Sequence, residues 1–181
     1  MADTARSRLQ QAAVELFRER GFDSTTAAEI AARAGVTERT FFRHFADKRE
    51  VLFDGQAVLL EALLAAIDDI PRDAPPLDTL FRAFQSVCPL LIANRPFSEP
   101  RQAVIAATPS LQERELAKTA ALAAALAQAL SARGVSDDRA AFAAQIGMAV
   151  FAHVTAAWLD KSEPGLTERL DRAYHDLQTL I

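Results

Sequence analysis

The sequence holds a single cysteine, Cys88, so no disulfide can form within the chain and no thiolate cluster can hold a metal. It has one tyrosine and one tryptophan, and its β-branched residues are sparse, which leaves little material for strands. Glycine occurs 6 times and proline 8 times, too seldom for a collagen-like or linker-dominated chain. Residues 1–10, MADTARSRLQ, lack the apolar core of a signal peptide, and no uninterrupted apolar run reaches membrane-spanning length. These absences predict a cytoplasmic protein with no membrane partner. A glycine-rich phosphate loop, a GxSxG elbow and HExxH spacing are all missing, and the 3 histidines have no acidic cluster beside them. We expect no catalytic residue, no metal, no cofactor and no enzymatic activity.

What is present points to helices. Half of the 181 residues are hydrophobic, enough for a sizeable core, and 38 are alanine, the strongest helix former. The net charge of −4 is unevenly spread. Residues 1–53 balance at +1 and residues 54–181 at −5, while the window 33–49 alone carries +3 through Arg33, Arg39, Arg43, Lys48 and Arg49 against Glu38 and Asp47. Local positive charge, rather than the acidic total, bears on nucleic-acid binding.

Apolar periodicity and capping signals order the chain into helices. The first runs from Asp3 or Thr4 to Arg20, with Gly21 as its stop. Thr26-Ala27-Ala28-Glu29 is a capping-box sequence opening a second, and Gly35 closes it. Thr37 caps a third that reaches His44. A fourth starts at Asp47-Lys48-Arg49-Glu50 and continues to Ile67, before Pro71. Leu77 to Asn94 forms the next, kinked or cut short at Pro89, and RPFSEP at 95–100 reads as a turn. Residues 101–108, 110–132, 136–160 and 167–179 complete an all-α chain.

Residues 26–44 are two short helices around a tight glycine turn, the helix-turn-helix pattern, whose second member can enter a major groove. That second helix offers Thr37, Glu38, Arg39, Arg43 and His44 outward, while Phe41 and Phe45 are expected in the core. Around it lies an ordered set: Ala12-Ala13, Leu16-Phe17, Gly21-Phe22, Thr25-Thr26, Ile30-Ala31, Ala34-Gly35-Val36, Thr40, His44-Phe45, Lys48 and Leu52-Phe53. Across residues 9–53 this resembles the DNA-binding domain of the TetR family of transcriptional regulators. The resemblance implies a three-helix DNA-binding domain over 1–53 and a helical effector-binding and dimerisation domain over 54–181. It also makes Thr37 to His44, with Thr40 and Phe42, the recognition helix, and places Thr26 and Lys48 against backbone phosphates. Arg39 has the donor geometry to read guanine; Arg43 reads a base or holds the backbone. The family usually has tyrosine at Phe42, whose hydroxyl meets DNA; a phenyl ring offers only apolar contact with a sugar or a thymine methyl.

In the second domain Phe81, Phe84, Cys88, Phe97, Met148, Phe151 and Trp158 supply surface for a small apolar or amphipathic effector, or for an ordinary core. The helix 136–160 is apolar nearly all round. One stripe is Ala140, Ala144, Gly147, Phe151, Val154 and Trp158, and a second is Phe142, Ile146, Ala149 and His153. Small Ala140, Ala144 and Gly147 suit a crossing with a symmetry mate. Helix 167–179, with Leu170, Tyr174, Leu177 and nearby Ile181, would complete a homodimer interface. The expected function is a ligand-released repressor of an inverted-repeat operator in double-stranded DNA. An activator of the same fold, or a helical protein-interaction module without DNA binding, stands as the alternative.

Overall fold

The computed structural model describes residues 4–180, so that Asp3 and Ile181, both named above, lie outside the described residues. Ten helices account for nearly all of them, and no strand occurs among the described residues. They are α1 (Ala5–Arg20), α2 (Ala27–Arg33), α3 (Glu38–His44), α4 (Glu50–Phe53), α5 (Gln56–Asp69), α6 (Pro76–Ser86), α7 (Cys88–Ala106), α8 (Pro109–Ala132), α9 (Asp137–Asp160) and α10 (Leu166–Leu180).

The local signals act where they stand in the sequence. Thr4 caps α1 by accepting from the Ser7 N–H at 3.2 Å. Gly35 takes φ +68°, the left-handed turn between α2 and α3 that a side chain would resist. Two expectations about boundaries change. The helix expected from Asp47 onward is interrupted at Asp54-Gly55, where glycine weakens it and the Asp54 carboxylate is taken by Arg6 and Gln10. The turn expected at 95–100 is helical instead. α7 runs through with Pro96 and Pro100 inside it, while Pro89 sits in its first turn, where a missing N–H costs nothing.

The chain divides into two compact units. The first comprises residues up to Gly55 together with Pro96–Glu115, and the second comprises Gln56–Arg95 and the chain from Leu116 on. This differs from a division at residue 53: the segment 96–115 belongs with the helix-turn-helix. The reason lies in its side chains. Val104, Ile105 and Leu111 are buried in one cluster with Leu9, Phe17, Ile30, Phe41 and Leu52, and Phe97 packs against that cluster. Arg101 donates to the Leu52 carbonyl, pairs with Glu115 at 2.6 Å and stacks over Phe53, while Arg114 pairs with Glu50 at 2.7 Å.

The second unit is built on α6 and α9. Phe84 stacks on Phe151 with ring centroids 4.4 Å apart, and Phe81 stacks on Tyr174 at 4.3 Å. Arg133 donates to the carbonyls of Ile67, Ile70 and Pro71, satisfying the C-terminus of α5. By length and composition α9 is the one helix among the described residues that could cross a membrane, which the reading of uninterrupted apolar runs did not show. Nine of its residues are buried in this unit, so its apolar content goes into a core.

That burial corrects the assignment of the small-residue stripe. Ala140, Ala144 and Gly147 face inward with Phe151, Val154 and Trp158, so the close approach they permit is to α6 of the same chain. A Cβ on Gly147 would stand 3.0 Å from Leu80 Cδ1 and 3.4 Å from Phe84 Cε2. Gly147→Arg should therefore unfold the second unit rather than merely separate two copies, at a cost of about 3 kcal/mol or more. Thermal unfolding followed by the emission of Trp158 checks this. A variant that melts like the parent would place Gly147 on the surface.

Candidate nucleic-acid interface

α3 has seven residues, too few to be stable alone, and is held by what it buries. Phe41 is fully buried and meets Phe45 at 5.4 Å. Ala31 and Ala34 are buried where α2 and α3 approach, and the Val36 N–H donates to the Ala31 carbonyl at 2.9 Å. The Thr37 hydroxyl accepts from the Thr40 N–H at 3.2 Å and fixes the start of α3. With Phe41 inward, helical periodicity turns Glu38, Arg39, Phe42 and Arg43 outward, and all four are exposed. Thr40 and His44 are half-buried, and the buried Nε2 of His44 has no hydrogen-bond partner among the described residues.

The arginines of this unit divide into spent and free. Arg6 pairs with Asp54, Arg20 with Glu29, Arg33 with Glu15 and Glu19, and Arg49 with Asp47. The Arg33 guanidinium holds the Glu19 carboxyl below its ordinary range, and Glu19 in turn raises Arg33. Among the described residues the side chains of Arg39 and Arg43 make no ion pair or hydrogen bond, and the same holds for the side chains of Arg8 and Arg18 on α1. Two of the five cations in the window 33–49 are thus free guanidinium groups on the outward face of α3.

The two expected phosphate contacts are engaged within the fold. Thr26 forms a complete capping box: its hydroxyl accepts from the Glu29 N–H at 3.2 Å, and its own N–H and hydroxyl donate to Glu29 Oε2 at 2.9 Å. These bonds, with Arg20 nearby, hold the Glu29 carboxyl below its ordinary range. An anion therefore already sits at the N-terminus of α2. Lys48 Nζ donates to the carbonyls of Phe22 at 2.8 Å, Thr25 at 3.0 Å and Asp23 at 3.4 Å, and lies 4.2 Å from the centre of the Phe22 ring. Its three N–H bonds are used in tying the α1–α2 turn to the chain after α3. Nothing in the spacing of Lys48 announced these partners, which stand 23 to 26 residues away.

The candidate effector residues do not converge on one space. Phe81, Phe84, Cys88, Met148, Phe151 and Trp158 are buried in the core of the second unit, whereas Phe97 packs in the first. Burial raises the Cys88 thiol above its ordinary range, so it is a poor nucleophile. Within the second unit a groove of about 610 Å³ runs between α8 and α9. Alanines 120, 123, 124, 127 and 141 line it, with Gln128, Ser131, Asp137 and Gln145, and none of these was a sequence candidate. No group of three or more metal-ligating side chains occurs among the described residues.

Lys48→Met keeps the apolar stem and removes the three donors, and should lower stability by about 1–3 kcal/mol in urea unfolding. The salt dependence of operator binding should keep its slope in the same variant. A slope lower by about one unit would assign the ammonium to a phosphate instead.

Comparison with known proteins agrees with the geometry. Residues 9–54 match the family described as bacterial regulatory proteins, tetR family, and residues 74–180 match the MftR C-terminal domain. The chain is 42% identical over 82 residues to the HTH-type transcriptional regulator TcmR of Streptomyces glaucescens, a match covering 45% of this chain and 36% of TcmR. It is 28% identical over 178 residues to MftR of Mycobacterium tuberculosis, covering 92% of this chain and 85% of MftR. Its fold is shared with Thermus thermophilus FadR, a TetR-family repressor solved with lauroyl-CoA, at a TM-score of 0.56 and 24% identity over 94% of this chain and 91% of FadR. The chain belongs to the TetR family of DNA-binding transcriptional regulators, with an MftR-type C-terminal domain.

Proposed function

We propose that the protein is a homodimeric, cytoplasmic repressor that holds an inverted-repeat operator through α3 of each copy. It lets go when a small apolar or amphipathic molecule binds its second unit. The observation that carries the DNA half is the pair Arg39 and Arg43, unpaired and exposed on a helix whose inner face is locked by Phe41. A guanidinium with no internal partner keeps its fork of donors for a guanine edge or a phosphate. Arg39 reads a base, Arg43 holds the backbone or a second base, and Thr37, Glu38, Thr40 and His44 flank them. Thr26 and Lys48 serve by setting the angle at which α3 is presented.

Dimerisation runs through α9 and α10. The stripe of α9 turned away from its own core carries Phe142, 68% exposed, with exposed Ala149, Ala152 and Ala156, and Leu180 is exposed on α10. An apolar face of this length is what a second copy covers, and a stable interface buries about 1,200 Å² or more. For the effector, the lauroyl-CoA found in FadR supports a long apolar tail with a polar head. The groove between α8 and α9, lined mainly by alanine, has the volume of a small-molecule site.

The operator should be an inverted repeat with half-site centres one or more helical turns apart, each turn about 34–36 Å. Arg39→Ala should cost about 1–3 kcal/mol per half-site on the cognate duplex and little on a scrambled one. Isotherms on both duplexes check this, and equal losses would make Arg39 a backbone contact. A lone half-site bound as tightly as the full repeat would end the dimeric reading.

The effector half has its own reporter, since Trp158 is the sole tryptophan and lies buried with the Arg95 guanidinium 5.3 Å from its ring. A long-chain fatty acyl-CoA should change Trp158 emission and weaken operator binding at least about tenfold, and by linkage the operator should weaken acyl-CoA binding equally. Acyl-CoA that changes neither emission nor operator affinity removes this class of effector.

A further inference from the structure

One side chain on the outward face of α3 differs in kind from its neighbours. Phe42 is 52% exposed beside Glu38, Arg39 and Arg43, and has no hydroxyl with which to reach a phosphate. A phenyl ring left in water forgoes burial that a polar residue would not need. Nor is the ring loose. It meets Phe41 edge to face, with centroids 5.4 Å apart and planes at 82°, and Phe41 beneath it is fully buried. Phe42 is thereby held at the surface about one helical turn beyond Arg39, in the middle of the face rather than at its flank. Within a major groove the apolar feature of the base edges is the 5-methyl group of thymine.

We propose that Phe42 reads a thymine 5-methyl group in each half-site, close to the base pair met by Arg39. The inference rests on α3 lying in the major groove, as argued above. It gives an apolar position on the outward face of α3 a contact that carries sequence information, which a backbone contact would not. Phe42 is then a specificity-determining residue, and the operator holds a fixed thymine that an arginine pair alone would not select.

The test uses the full chain to select an operator from random duplexes, then rebuilds that operator with deoxyuridine in place of each thymine in turn. Uracil pairs as thymine does and lacks only the methyl group. One position per half-site should weaken binding about fourfold when exchanged, and about sixteenfold when both half-sites are changed, as expected for one buried methyl at each. Phe42→Ala should bind the thymine and uracil operators alike. Phe42→Leu, which keeps apolar reach, should retain part of the discrimination and shows that the effect is not one of folding. An operator without a fixed thymine, uracil tolerated at every position, or uracil sensitivity that survives in Phe42→Ala each overturns the proposal and leaves DNA binding standing. A chain that selects no duplex at all overturns the placement of α3, and the role of Phe42 with it.

Discussion

The outward face of α3 depends on the burial of one phenyl ring. α3 is two turns long, and a helix of that length does not hold itself together in water. Phe41 is buried completely among the residues of α1, α2 and the segment 96–115, a burial worth about 1.5–3 kcal/mol. Every outward assignment on α3 follows from that inward one, because the helical period leaves Glu38, Arg39, Phe42 and Arg43 no other direction. Small Ala31 and Ala34 and the left-handed Gly35 make the approach of α2 close enough for the ring to be enclosed.

Charge pairing then decides which cations are available. Exposed ion pairs such as Arg33–Glu19 and Arg49–Asp47 contribute little to stability. Their consequence is selective: in this structure they engage neighbouring guanidinium groups with carboxylates of the same unit. Lys48 is engaged in the same way by three carbonyls. What remains unpaired on the outward face of α3 is Arg39 and Arg43, so a unit of nearly balanced charge presents positive charge locally. The same residue type is thus a brace at Arg101 and Arg114 and an unpaired guanidinium at Arg39, according to whether an acid stands within reach.

The second unit uses close approach rather than charge. Gly147 lets α9 lie against Leu80 and Phe84 of α6, and the rings of Phe84 and Phe151 stack where the helices meet. With that side of α9 consumed, the apolar stripe through Phe142 and Ala149 is left outward, and the alanine-lined groove against α8 stays open. One helix thus has a packed inner side and an open flank.

The sequence by itself determined what is local. Thr4, Thr26 and Thr37 cap helices, Gly21 and Gly35 turn the chain, and Phe41, Phe42 and Phe45 fall on the sides that their spacing dictates, because capping and periodicity act within four residues. The tertiary structure alone decided what joins distant residues. That Phe97 and the segment 96–115 pack with the helix-turn-helix, that Gly147 faces α6, and that Lys48 is held by the carbonyls of the α1–α2 turn all depend on partners far apart in the chain, the nearest of them 23 residues away. No spacing in the chain encodes such partners. They follow from which apolar faces meet once the helices have formed, and from which carbonyls and carboxylates that meeting leaves within reach of a lysine or an arginine.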